Sequence, residues 1–101
     1  MNLEQATDKI KEKIQFAPHI KAKVKFDFGD DGFIYVDSNE SPAVISNDNE
    51  DETDVTLICA LDTFHGFLDG TKDPNIAFMM GQLKVKGNMG IALKLNGILE
   101  D

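Results

Sequence analysis

The sequence predicts an α+β fold, and three observations predict it. Residues 21–28 alternate apolar and charged without a break, the pattern of a strand with one wet face. An amphipathic helix precedes them, and a second strand follows directly, so strands run consecutively instead of alternating with helices. From Asp54 onward the order becomes strand, helix, helix, strand, helix, with a capping residue or a glycine at most joints. The 101 residues show no repeat and no linker, so residues 1–101 are read as one domain.

In the first helix Leu3, Ala6, Ile10 and Ile14 recur at three- and four-residue spacing, with lysines and acids on the other faces. Its opposite and like charge pairs largely cancel, and Pro18 ends it. Ala22, Val24, Phe26 and Phe28 then face one way along Lys21–Phe28, and Lys21, Lys23, Lys25 and Asp27 the other. Gly29-Asp30-Asp31-Gly32 is a turn with a hairpin signal in Asp-Gly. Phe33–Asp37 returns with Phe33 and Tyr35 on one face, Ile34 and Val36 on the other. Ala43–Ile45 forms a short third strand. Asp48, Glu50, Asp51, Glu52 and Asp54 crowd one solvated loop that lacks the EF-hand spacing.

The fourth strand, Asp54–Ala60, turns Val55, Leu57 and Cys59 to one face. Ile58 and Ala60 make its other face partly apolar, the mark of a central strand. Asp62 caps a helix holding Phe64, Phe67 and Leu68, and Gly70 closes it. Asp73–Leu95 then reads as helix, strand, helix. Asp73 caps, Pro74 takes the first helical position, and Gly81 supplies a left-handed end. Gln82–Lys86 alternates as a half-buried strand, and Asn88 caps a last helix running to Leu99.

Composition excludes several classes. A net charge of −8 argues against nucleic acid, whose phosphates need a cationic footprint. There is no arginine, hence no bidentate clamp for phosphate or carboxylate. The lone Cys59 precludes an internal disulfide and suits a reducing compartment. No apolar run approaches the roughly 18 residues of a membrane span. The N-terminal stretch lacks a signal-peptide core and the C-terminus lacks a peroxisomal tripeptide, so the expectation is a cytoplasmic monomer. His19 and His65 lie without metal-ligand spacing, and no phosphate loop or nucleophile–base pair emerges. The expectation is therefore no catalytic residue, no metal and no cofactor.

What remains is an apolar surplus. Around Ile76–Met80 a short helix is apolar nearly all round, and the last helix is apolar over more than one face. Any one of Phe64, Phe67, Phe78, Met79, Met80, Met89 or Leu93 would serve as ordinary core. Together they exceed what one small sheet face needs, and an apolar cavity between helices and sheet, open to a lipid, accounts for the excess. Ile76 and Met80 lie one turn apart, as do Met89 and Leu93. The expected ligand contacts are Phe64, Phe67, Leu68, Ile76, Met79, Met80, Met89 and Leu93.

The residues that carry these features also carry a resemblance. The strand Asp54–Leu57, the F-x-x-x-L-x-G helix at Phe64–Gly70, the D-P-x-x-A-F segment at Asp73–Phe78, the G-x-L-K-V-x-G strand at Gly81–Gly87 and N-M-G-I-A-L-K-L at Asn88–Leu95 occur in order. In these, residues 53–95 closely resemble the sterol carrier protein type 2 domain, and the N-terminal half matches in layout. The resemblance implies a five-stranded, largely antiparallel sheet covered on one face by helices, with an apolar tunnel between them. It implies non-enzymatic binding or transfer of fatty acid, fatty acyl-CoA or a sterol-like lipid. The acidic surface and the Glu100–Asp101 end depart from the peroxisomal, membrane-docking members and fit a small stand-alone form of the bacterial kind, with at most transient membrane contact. The alternative is an accessory lipid-binding module in lipid or isoprenoid-quinone synthesis.

Overall fold

The computed structural model describes residues 2–15, 20–40 and 42–99. Pro18, His19 and the Glu100–Asp101 end, to which the sequence reading gave roles, lie outside them. The elements are α1 (Leu3–Ile14), β1 (Lys23–Asp27), β2 (Phe33–Asp37), β3 (Val44–Ser46), β4 (Val55–Cys59), α2 (Leu61–Asp69), α3 (Pro74–Met79), β5 (Leu83–Gly87) and α4 (Met89–Leu99), with a 3-10 turn at Gly29–Asp31.

The five strands form one sheet in the order β3-β2-β1-β4-β5. β1 and β4 pair in parallel and the other three pairings are antiparallel. The fold is thus the expected α+β one, a largely antiparallel five-stranded sheet with four helices. Register follows from the alternation: Val24 stands opposite both Val36 and Val55, and Phe26 opposite both Ile34 and Leu57. A slip of β1 by one residue would turn Val24 and Phe26 off this face.

The helices cover this apolar face. Ala22, Val24, Phe26 and Phe28 are all buried beneath them. Phe64 of α2 packs its ring on Phe28 at 4.9 Å and Phe26 at 5.4 Å between centroids, with Phe67 behind it at 6.5 Å. Such tilted pairs add to simple area burial. α1 lays Ala6 and Ile10 on the same core, its start fixed by a reciprocal capping box between Asn2 and Gln5.

Some boundaries differ from the sequence reading for local reasons. β1 begins at Lys23 because the Ser38 hydroxyl takes the Ala22 N–H at 3.0 Å in place of a backbone carbonyl, while the Ser38 N–H keeps its bond to the Ala22 carbonyl at 2.9 Å. β3 lies one residue later than Ala43–Ile45. Ala60, not Asp62, is the N-cap of α2, since β4 leads almost directly into the helix; no side chain caps it. Asp62 sits in the first turn, where a carboxylate favours the helix dipole.

The acidic loop does more than stay wet. β3 and β4 both run parallel to β1, so residues 47–54 must cross the sheet past β2 and β1. Helices occupy the core face, and the loop takes the other. There Thr53 pairs hydroxyls with Thr56 at 3.0 Å, on the side of β4 opposite Val55 and Leu57. Tyr35 lies on this open face yet is buried. Burial raises its phenol pKa above the ordinary value; Lys23 opposes, while Asp37, Asp51 and Asp54 add to the rise. Beside it the Lys25 ammonium sits 4.3 Å over the Phe33 ring.

Candidate functional site

Asp54 and Gly87 set the position of the C-terminal helices. The Asp54 carboxylate accepts from the Lys23 N–H at 2.8 Å, and its own N–H donates to the Lys23 carbonyl at 2.8 Å. Its carbonyl accepts from the Asn88 N–H at 2.9 Å. Gly87 crosses directly over that carbonyl with φ +104°, where a Cβ would collide with the Asp54 backbone. Asn88 then caps α4, its carboxamide oxygen accepting from the Ile91 N–H at 3.1 Å. One acid thereby ties β1, β4 and the start of α4 together, a role with no signature in the sequence beyond the D-V-T-L strand.

α3 is a six-residue helix with a firm beginning and end. The Asp73 carboxylate accepts from the Asn75 N–H at 2.8 Å and Pro74 follows at the first position. At the far end Gln82 donates to the Ala77 carbonyl at 2.8 Å and Gly81, at φ +78°, to the Phe78 carbonyl at 3.2 Å. These two bonds are the Schellman pattern. Only Pro74 and Ala77 of α3 are buried. The helix therefore covers its neighbours with one narrow side and shows Ile76, Phe78 and Met79 to solvent. Met80, its C-cap, is exposed as well. On α4 the buried positions are Ala92, Leu95, Asn96 and Leu99, and Met89 and Leu93 point outward.

The eight expected ligand contacts fall into two groups. Phe64, Phe67 and Leu68 belong to the closed core, at 1, 0 and 7 % exposure. Ile76, Met79, Met80, Met89 and Leu93 lie outside, at 56, 83, 68, 46 and 61 %. The structure does not gather them around one chamber. Two cavities open elsewhere. One of about 460 Å³ lies between α1 and α2, lined by Gln5, Asp8, Lys9, Glu12 and His65. One of about 820 Å³, beside the end of α1, has Ile14, Ile20, Pro42, Ala43 and Ile45 as its apolar part. None of the eight residues lines either.

Beneath the exposed face sits a polar group the sequence reading missed. Asn96 is 6 % exposed; its amide nitrogen donates to the Asn75 side chain on α3 at 3.3 Å. Its Oδ1 has no partner among the described residues. A buried acceptor left unpaired is costly. A polar residue on the inner side of a helix otherwise filled with Ile, Leu and Met was the available signal.

The reactive side chains are quiet. Cys59 is buried and its thiol is pushed up to about 12, chiefly by burial, with Asp27 adding and Lys72 opposing, so it stays protonated. His65 lies 3.5 Å from Asp69 on the surface of α2. Hydrogen bonds from the Thr71 hydroxyl and N–H, and then the nearby His65, lower the Asp69 pKa. No group of three or more His, Cys, Asp or Glu suited to a metal occurs among the described residues. Nor is any described helix long and apolar enough to cross a membrane.

This architecture is that of the sterol carrier protein 2 domains, a lipid-binding fold. Sterol carrier protein 2 of Yarrowia lipolytica in its apo form superposes with a TM-score of 0.68 at 29 % identity, over 96 % of this chain and 77 % of that one. The palmitated SCP2L2 of Aedes aegypti shares the fold with a TM-score of 0.77 at 16 % identity, over 100 % of this chain and 96 % of that one. The chain belongs to the SCP-2 sterol transfer family, whose profile matches residues 2–100. Among curated relatives, the hydroxysteroid dehydrogenase-like protein 2 of Bos taurus is 41 % identical over 49 residues, 48 % of this chain but only 12 % of that protein.

Proposed function

We propose that the chain binds single lipid molecules and carries them without altering them chemically. The carrying observation is the unburied apolar surface of α3 and α4. Among the described residues, six of the seven exposed large hydrophobic side chains lie on α3, its cap or α4. Leaving so much of one region in water suits a site waiting for an apolar ligand. α3 is the element suited to move: only its Pro74 and Ala77 are buried, one side-chain bond from Asn96 reaches its Asn75, and the positive-φ glycines Gly70 and Gly81 flank it. If it swings outward and turns about its axis, Ile76, Met79 and Met80 come to face Phe64, Phe67 and Leu68, with Met89 and Leu93 of α4 at the rim of the opening.

The ligand class is a fatty acid, a fatty acyl-CoA or a sterol-like lipid, bound through apolar area. With no arginine in the chain, head-group selectivity is slight. The protein works as a cytoplasmic monomer, one domain over residues 1–101, with no catalytic residue, metal or cofactor. Native mass spectrometry of the delipidated chain with palmitate tests this. A one-to-one complex is expected, and no complex at any palmitate concentration below micelle formation would refute it. The same exposed face also suits an accessory module that lends a lipid to a biosynthetic complex. That reading requires stable co-purification of other proteins, which the carrier reading does not.

A further inference from the structure

We propose that the outer edge of β5 takes an extended, acidic segment of a partner protein as a sixth strand, with Lys84 and Lys86 pairing its carboxylates. β5 closes one side of the sheet and has β4 as its strand neighbour. One bond fixes the phase of their ladder. The Asn88 N–H donates to the Asp54 carbonyl at 2.9 Å, one step beyond the Val55–Gly87 pair. Bonded and unbonded pairs alternate along an antiparallel ladder. Lys86 and Lys84 therefore bond to Thr56 and Ile58, while Leu83 and Val85 turn their N–H and C=O groups away from β4. Among the described residues these outward groups find no other backbone partner. Such a row of unpaired groups is a template for another strand.

The side chains of β5 set the chemistry of the added strand. Leu83 and Val85 stand opposite Cys59 and Leu57 on the core face, and Lys84 and Lys86 opposite Ile58 and Thr56 on the open face. Both lysines are exposed, and neither has a carboxylate partner among the described residues. Residues 74–99 contain three lysines and not one Asp or Glu, in a chain with 18 acids. Val85 is only partly covered by the core it packs on. A strand that alternates acidic and apolar residues meets both faces. Its carboxylates lie against Lys84 and Lys86, and its apolar groups cover the bare flank of Val85. The net charge of −8 opposes this partner only weakly, because charges more than about 8 Å away are largely screened at physiological salt.

Other occupants and edges fit less well. An antiparallel pairing of β5 with β5 of a second copy, centred on Val85, would set lysine against lysine on both sides of the two-fold axis. The acidic run at residues 48–54 of another copy would bring carboxylates but no apolar residue to lie beside Val85. The opposite edge, β3, is three residues long and carries no lysine.

Residue-resolved amide hydrogen exchange of the 101-residue chain tests the proposal, with a blocked peptide alternating Glu and Val and with its Lys–Val counterpart. The Glu–Val peptide should slow exchange at Leu83 and Val85 several-fold and leave Val44 and Ile45 of β3 unchanged. The Lys–Val peptide should slow neither edge. Lys84→Glu/Lys86→Glu should lose on the order of 10-fold in affinity for the Glu–Val peptide. The same variant should gain affinity for the Lys–Val peptide, an exchange of preference that a misfolded chain would not show. Unchanged exchange at Leu83 and Val85 under millimolar Glu–Val peptide would overturn the proposal. Equal slowing by both peptides, or slowing confined to β3, would overturn it as well.

Discussion

Truncating Leu93 separates a ligand wall from a core position. Leu93 is 61 % exposed, so some two-fifths of its side chain is covered in the free protein. Full burial of a leucine contributes about 1.5–3 kcal/mol, which makes the covered share roughly 0.6–1.2 kcal/mol. Leu93→Ala should cost the empty protein no more than that. Phe67, at 0 % exposure, is the control. Phe67→Ala should cost about 3–5 kcal/mol through lost transfer energy and a residual cavity. In a domain of this size 1 kcal/mol moves Tm by about 4–8 °C, so the two variants are well resolved by calorimetry.

The ligand should enlarge the loss at Leu93. A saturating fatty acid stabilises the folded state by about 2.7 kcal/mol at 100 times its Kd. If bound ligand covers the rest of Leu93, Leu93→Ala forfeits roughly 0.9–1.8 kcal/mol of that gain. Leu93→Glu, close to neutral when empty, should lose it all, because the charge would have to leave water on binding. Melts of parent and variants with and without palmitate are the assay. The reasoning fails if Leu93→Ala destabilises the empty protein as much as Phe67→Ala. It fails equally if palmitate raises the Tm of Leu93→Glu as far as that of the parent.

The orphaned Asn96 oxygen predicts that Asn96→Leu raises stability by about 1–2 kcal/mol in urea unfolding; a loss would mean the bond to Asn75 is worth more than the unpaired acceptor costs. Gly87→Ala combines φ +104° with a clash on the Asp54 carbonyl, and should lose at least about 2 kcal/mol. A near-neutral urea midpoint there would show that β5 and the start of α4 shift easily. Cys59 has a raised folded pKa, so the folded state keeps a proton that the unfolded chain releases. Its contribution to stability is whole below about pH 9 and lost between about 9 and 12. Tyr35 adds a loss of the same sign above about pH 10, and alkaline melts of Cys59→Ser should show the thiol's share removed. Iodoacetamide at neutral pH should label Cys59 only as fast as the core opens, which labelling with and without urea would check.

Much of the fold was legible because local chemistry and tertiary structure agree. The alternation over residues 21–28 turns the same four side chains inward that the core buries. Asp73, Pro74, Gly81 and Asn88 perform the capping roles their types suggest, with bonds of 2.8–3.2 Å. Where reading and structure part, the cause is a group distant in sequence. Ser38 shortens β1 from sixteen residues away. Tyr35 is buried because a loop from another part of the chain crosses its face, which periodicity along β2 cannot reveal.

The sequence by itself determined the α+β class, the strand faces, the family and the apolar excess of the last two helices. These depend on near neighbours, on two- or 3.6-residue periods and on a motif read in order. Only the tertiary structure decided which apolar residues have a partner. Phe67 and Met79 are alike in sequence terms, each an apolar residue on a short helix. One faces a sheet and the other faces water, because α2 lies over Phe26 and Phe28 whereas α3 meets the protein through Pro74 and Ala77. Helical period sets which side chains share a face, and the neighbour that covers that face is set by chain topology, which carries no period of its own.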